Sequence, residues 1–432
     1  MKSDITIIGA GILGTSLAYF LSQITKKSIL VLDQASQAGF HTSSRNTGKV
    51  HAPFIYDPQQ KKIFAKSAQI GFEMWEQYCK QKNLAFKKDG VLEVALDEPG
   101  IKKLEKHMSW GEQNGLEKDD DIILLDGQDV KKQEPEVCCQ KAIFCKKDAS
   151  VDYGILTKYL MTDAKQNGTT FLLGTRAKDI SDKKDFLEIT TNHDYVIQTD
   201  LLINAAGGMS VDIAHKMDVL PDLTDIHFKG EYWQAEPEYK NLTKTSVYCV
   251  PTHFEYPFLD PHWIVRSNGI CEVGPNAVPV FSPYGYTFSK NIQKMPSKIL
   301  EMLSSGAVKI LFDSQFISLA SDELLSSISK TIMINRIKKF LPNVNPKKFK
   351  HRGTSGIRSS VIDKDGKFVS DVVIAQGEKS LHILNYNSPG ATGALPFAIH
   401  VISQMKDKGL VKIEYNQCGP WSFEKISELL LS

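Results

Sequence analysis

An α/β fold, with a second domain built on an antiparallel sheet, is predicted by three features of this sequence. Residues 5–33 alternate a short apolar run, a glycine turn, a helix-like stretch and a second apolar run. A strand-rich, aromatic region follows much later, from His227 to Tyr286, and a second glycine turn opens a helix near residue 390. Strands alternating with helical patterns imply parallel crossover units, whereas strand after strand with short turns implies an antiparallel sheet.

The first element is the strand Ile5 to Ile8, followed by a helix from about Leu13 to Gln23 and a strand from Ser28 to Leu32. Gly9, Gly11 and Gly14 carry the G-x-G-x-x-G spacing at the strand-to-helix turn. That spacing, in that setting, is a Rossmann-like dinucleotide fingerprint. Gly9 permits the turn, Gly11 leaves room for a pyrophosphate on the helix N-terminus, and Gly14 lets helix and strand pack closely. Asp33 closes the second strand, where its carboxylate suits both ribose hydroxyls of an adenosine and repels a 2′-phosphate. NADP is therefore disfavoured, while NAD and FAD fit this stretch equally well.

The whole chain sets wider bounds. Its 432 residues allow two or three domains, and 42% hydrophobic with 24% charged residues is ordinary globular composition. With 52 basic and 50 acidic residues, bulk charge gives no reason to expect a nucleic-acid partner. Seven cysteines, an odd number without C-x-x-C spacing, argue against a disulfide framework or a zinc site, and point to a reducing cytoplasm. No apolar run reaches the ~20 residues of a membrane-spanning helix. The basic excess between Arg336 and Arg352 reads first as a solvated face; an approach for an anionic substrate or membrane surface is the other reading, which leaves peripheral membrane contact open.

After Asp33 the chain enters a long polar loop in which Ser43, Ser44, Arg45 and Asn46 supply donors, and Thr47 with Gly48 offers backbone N–H groups. Lys61 to Lys82 and Ile101 to Gly115 have helical periodicity, Phe86 to Leu96 reads as a hairpin turning at Asp89-Gly90, and Asp152 is placed to cap the helix after it. Thr170 to Ile180 reads as one strand, Leu202 to Gly208 as a strand ending in a glycine turn at Gly207, and Ile299 to Phe340 as helical. Phe368 to Ala375 and Ser380 to Asn385 are strands, and the turn Ser388 to Gly393 opens a helix from about Ala394.

Several of these stretches together resemble one family. The G-x-G-x-x-G strand, the acid after it and SSRNTGKVHA (Ser43 to Ala52) are similar to the glycine-oxidase and D-amino-acid-oxidase superfamily of FAD enzymes. In detail the loop resembles that of L-2-hydroxyglutarate dehydrogenases or oxidases, whose version reads approximately N-S-G-V-I-H-A-G. HFKGEYW (His227 to Trp233) resembles F-R-G-E-Y-Y, YPFLDPHWIVR (Tyr256 to Arg266) resembles a P-F-L-G-V-H strand, GPNAV (Gly274 to Val278) is identical, and Gly356-Ile357-Arg358 stands for G-V-R. The resemblance spans nearly the whole chain and implies FAD, with a Rossmann-like FAD-binding domain at 1–85, 150–215 and 352–432 and an interleaved α+β substrate domain, built on an antiparallel sheet, at 86–149 and 216–351.

The resemblance also implies chemistry. Cofactor-binding candidates are Gly9, Gly11, Gly14, Asp33, the loop Ser43 to Gly48, Ala177 beside the adenine, Gly207, Arg358, and Gly390, Ala391 and Thr392 near the flavin. A flavin oxidising a small 2-hydroxy acid needs a base for the hydroxyl proton and cations for the carboxylates. His51 and His262 are the candidate bases; Arg358, Arg266, Lys229 and Tyr232 are the candidates for holding the anionic substrate, and Glu231 reads as a brace. Oxygen or a quinone would reoxidise the flavin. Departures at Pro53, Asp260-Pro261 and Asn387 to Thr392 lie near the inferred cavity. They keep two rivals open: an amine or amino-acid oxidase of the same superfamily, and a degenerate flavoprotein with a scaffolding role.

Overall fold

Strand Lys2–Ile8 buries nearly every residue after its first and sits in the middle of a parallel sheet. A computed structural model describes residues 1–251, 256 and 260–431. Lys2–Ile8 pairs in parallel with Ile29–Asp33 on one side and Val196–Asn204 on the other, placing Ile5 beside both Ile29 and Leu201. Thr170–Leu173 and Ser380–Leu384 extend this sheet in parallel, so segments from both ends of the chain share one core. Helix Ile12–Ile24 is apolar all round and almost wholly buried, as a helix sandwiched between a sheet and further helices must be. The helices Lys62–Lys82, Tyr153–Gln166 and Gly390–Asp407 complete that layer.

Two further sheets stand against it. One is eight-stranded, running from His351–Arg352 through Trp233–Gln234, Cys271–Gly274, His262–Val265 and Ser246–Cys249 to Val91–Ala95, Lys141–Cys145 and Ile122–Asp126. It is antiparallel except where Ser246–Cys249 pairs in parallel with Val91–Ala95. The other holds three antiparallel strands, Val278–Val280, Thr224–Gly230 and Gly356–Ile362, and sets Arg358 opposite Phe228.

Five local readings need correction. Phe86 to Leu96 is not a hairpin: Val91–Ala95 alone is a strand, and its partners, Lys141–Cys145 and Ser246–Cys249, are remote in sequence. Thr170 to Ile180 is two strands, Thr170–Leu173 and Ala177–Asp182, parted by a turn in which Gly174 takes a φ of 71°. The helical region begins at Phe288 and breaks into Phe288–Ser305, Ser314–Ile328 and Lys330–Ile337, with stops at the left-handed Gly306 and at Ser329. The last long helix starts at Gly390, so the second glycine turn is its first turn. Phe368 makes only an isolated bridge to Ile362, and the strand there is Val373–Gln376. Of YPFLDPHWIVR, residues 257–259 lie outside the described residues. Asp152 does cap its helix, accepting the Ile155 N–H at 3.0 Å. No described helix is long and apolar enough to cross a membrane.

Candidate active site

The carboxyl ends of the parallel strands open into a long cleft, made of two adjoining cavities of about 300 and 270 Å³ that share Gly11, Thr42, Ser43, Ala205, Gly207 and Gly208. The first cavity is walled by Leu32, Asp33, Gln34, Ala177 and Tyr284. Asp33 accepts N–H groups of Ala10 at 2.7 Å and Ala35 at 2.8 Å, so its position is fixed by backbone, while burial raises its pKa. Tyr284 reaches across from the loop after Val278–Val280 and hydrogen-bonds Gln34.

At the junction the three glycines divide their work. A Cβ on Gly9 would strike the Ala205 carbonyl, and its φ of 113° excludes other residues; a Cβ on Gly14 would strike the Gly9 carbonyl. Both serve packing. Gly11 lines both cavities, and a Cβ there would meet only the Ser43 hydroxyl, at 3.2 Å. Ser43 Oγ accepts the Ile12 N–H at 2.9 Å, and the first turn of this helix carries no acid, so its N-terminus remains a site for an anion. Arg45, Asn46 and Thr47 line the second cavity. Ser44 and Gly48 do not: the Ser44 hydroxyl turns to the carbonyls of Phe40 and His41, and Gly48 packs on the Val151 carbonyl.

The second cavity brings His51, His262, Arg358, Tyr232, Gly207, Gly390, Ala391 and Thr392 to one wall system. Trp75 Nε1 donates to the Thr392 carbonyl at 2.9 Å, and Thr392 Oγ1 accepts the His51 N–H at 3.0 Å, tying the helix start to the loop of His51. Tyr248 stands between the histidines, with its ring centroid 4.3 Å from His262 and 6.3 Å from His51. Burial lowers the His262 pKa to about 4, so that ring is neutral at pH 7. Burial also brings the Arg358 guanidinium down to about 10, which still leaves it charged. Its Nη2, like His262 Nδ1 and the Tyr248 hydroxyl, is buried without a hydrogen-bond partner among the described residues. Unpaired polar atoms converging on one cavity are costly unless a ligand completes them. A cleft with a bare glycine turn, a fixed acid at one end and orphaned donors at the other fits an extended dinucleotide cofactor with a small polar substrate beyond it.

Two candidates are not brought in. Lys229 is bound to Glu231 at 2.9 Å, and Glu231 also holds Arg352 at 3.1 Å, so the carboxylate braces the layer and neutralises the lysine. Arg266 is engaged by Glu272 and by the Asn46 carbonyl, with its guanidinium 5.2 Å over the Tyr232 ring; it stands one layer behind the cavity. Lys49, Asp89, Asp148 and Tyr248 were not foreseen. Lys49 Nζ lies 3.0 Å from Asp89 and 3.8 Å from Asp148, and Asp148 lies 3.5 Å from His51 Nδ1. No spacing joins these residues; only the pairing of distant strands does.

Comparison with known proteins agrees with this geometry. The family model "DAO: FAD dependent oxidoreductase" matches residues 4–403. The chain is 28% identical to a mitochondrial L-2-hydroxyglutarate dehydrogenase of Caenorhabditis briggsae, over 93% of each chain. It is 27% identical to that of Homo sapiens, over 94% of this chain and 89% of the relative. Among solved structures it is similar to L-α-glycerophosphate oxidase from Mycoplasma pneumoniae with FAD bound, with a TM-score of 0.76 at 19% identity over 98% of this chain and all of the other.

Proposed function

The chain belongs to the FAD dependent oxidoreductase family, and on that premise we propose that it oxidises a small 2-hydroxy acid, L-2-hydroxyglutarate or a near relative, to the 2-oxo acid. The observation that carries this reading is the buried Arg358 guanidinium, charged at neutral pH and lacking an ion pair among the described residues, in the same cavity as His51 and Tyr232. A substrate carboxylate is its natural partner, and a charged hydrogen bond there removes the cost of the orphaned donor. Bound FAD supplies the acceptor for the hydride from the substrate's C2.

The remaining chemistry falls to the chain. FAD is held by Gly9, Gly11, Asp33, Ser43, Ala177, Gly207 and the Gly390–Thr392 turn, from segments 1–85, 150–215 and 352–432, with 86–149 and 216–351 forming the substrate layer. Asp33 receives the ribose, the helix start after Gly11 the pyrophosphate, and the first turn at Gly390 the pyrimidine edge of the ring. His51 takes the hydroxyl proton. Its neighbour His262 is the weaker base, because a ring titrating near pH 4 holds a proton poorly at pH 7. His262 and Tyr248 instead orient the substrate's oxygen atoms.

Anaerobic mixing of the FAD-loaded protein with L-2-hydroxyglutarate tests this directly. Bleaching of the flavin band is expected. Bleaching by amino acids alone would move the protein to the amine-oxidising reading, and bleaching by neither class would leave the scaffolding reading. Reoxidation is assigned to a quinone at a peripheral membrane contact. Support comes from helices Phe288–Ser305 and Ser314–Ile328, which bury Met302 and Phe316 together with Lys298, Glu323 and Ser326 while Phe288, Leu300, Leu324 and Ile328 face outward. Seven free thiols support the cytoplasmic side as its place of work.

A further inference from the structure

Beside the second cavity, Lys49–Val50 and Ala149–Ser150 form a two-stranded antiparallel ribbon. The register sets Lys49 opposite Ser150 and Val50 opposite Ala149, so the next position on each strand sets His51 across from Asp148. Side chains alternate along a strand, and Lys49 and His51 therefore share a face with Ser150 and Asp148. Asp89 closes that face, accepting Lys49 Nζ at 3.0 Å and the Ser150 hydroxyl at 2.7 Å.

Asp148 is the odd member. Its side chain is 1% exposed, and neither oxygen has a hydrogen-bond partner among the described residues. His51 Nδ1 is 3.5 Å from one oxygen and Lys49 Nζ 3.8 Å from the other. Lys49 is committed to the nearer Asp89, which also has Lys87 Nζ at 3.9 Å, so Asp148 is left with the Lys49 ammonium at 3.8 Å and no ammonium within hydrogen-bond distance among the described residues. Of the groups facing it, Tyr56, Tyr153 and Tyr248 are held as phenols and His262 as neutral imidazole, all by burial. His51, across the ribbon, is the nearest group that can bring a hydrogen-bond donor to Asp148.

We propose that Asp148 is the positioning residue of this site: it holds the Nδ1–H of His51, leaves Nε2 as the proton acceptor facing the cavity, and stabilises the imidazolium. This rests on the 2-hydroxy-acid reading above. When the substrate's O–H bond breaks, its electron pair stays on the substrate oxygen and the proton forms the new N–H bond at Nε2. The Nδ1 proton stays where it was. A separation of 3.5 Å in the ligand-free geometry is of the kind that tightens once substrate and charge are present.

The test uses Asp148→Asn in the FAD-loaded protein. The visible spectrum and FAD affinity should stay as in the parent, while anaerobic flavin reduction by L-2-hydroxyglutarate slows by about 100-fold. Half-saturating substrate should change by less than about twofold, the pattern of a lost positioning contact and not of lost binding. Nitrogen-15 histidine NMR, with His51 assigned by its absence in His51→Gln, should show the Nδ1–H tautomer in the parent and lose it in Asp148→Asn. An unchanged reduction rate with an unchanged tautomer overturns the proposal. If Asp148→Asn does not fold, the parent spectrum decides: an Nε2–H tautomer at His51 overturns it, and Asp148→Glu should keep the Nδ1–H form. If no 2-hydroxy acid reduces the flavin, the proposed substrate falls, and the tautomer still decides the role of Asp148.

Discussion

Arg358 shows how one residue can serve function at the expense of stability. A guanidinium buried over the Phe228 ring at 5.9 Å, with an unpartnered nitrogen, costs the ligand-free fold the desolvation of a charge. Arg358→Met keeps the length of the side chain and removes that charge. The thermal midpoint of the flavin-loaded, substrate-free variant should therefore equal or exceed that of the parent. Its apparent affinity for L-2-hydroxyglutarate in anaerobic reduction should fall by about 10–100-fold, the worth of one charged hydrogen bond. Equal affinity in parent and variant would remove Arg358 from the substrate. Lys229 and Arg266 make the contrast: they carry the same charge, yet each is matched by a buried carboxylate, Glu231 and Glu272, and nothing is left over for a ligand.

At the scale of elements, the oddest pieces are the two helices between Phe288 and Ile328. An ordinary surface helix turns its apolar stripe to the core. Here Phe288 is 78% exposed, Ile328 is 74% exposed, and Phe312 on the short 3-10 turn between the helices is 82% exposed. The buried side is mixed: Met302 and Phe316 reach the core, but Lys298 bound to Asp225 and Glu323 bound to Arg336 are buried beside them. Outward apolar residues of this size mark a contact surface. The nearby basic run is only partly available to it, since Lys348 and Lys350 are paired with Glu238 and Glu236. Apolar insertion, more than charge, should hold the protein on a bilayer. The chain should sediment with phosphatidylcholine vesicles containing anionic lipid and remain largely bound at 0.5 M salt, and Phe288→Ser with Phe312→Ser should release it without altering anaerobic flavin reduction. Binding that vanishes with salt, or persists in the double variant, would contradict this arrangement.

At the scale of the whole molecule, what could be read from the sequence were the pieces whose signal is local. The Gly9-to-Asp33 unit, the cap at Asp152 and the helix Lys62–Lys82 each carry their pattern within about 20 residues. What could not be read were pairings between distant strands. The supposed hairpin at Asp89-Gly90 failed because the partners of Val91–Ala95 lie some 50 and 150 residues away, beyond any periodicity. Asp148 stayed hidden for the same reason, since nothing in its own segment names His51 as its neighbour. Long-range closure also gives the cofactor a structural role on the proposed placement: the cleft joins Gly11, Ala177 and Thr392, and FAD lying along it would tie the two ends of the chain together. Saturation at 100 times Kd should add about 2.7 kcal/mol, or about 3 °C for a chain of this size. Gly11→Val separates binding from packing. Its Cβ position meets only the Ser43 hydroxyl among the described residues, so the FAD-free midpoint should stay within about 2 °C of the parent while the shift on adding FAD disappears. Gly14→Val should lower the FAD-free midpoint itself, because its Cβ collides with the Gly9 backbone. A Gly11→Val protein that still gains the full shift would mean that the pyrophosphate does not lie on this turn.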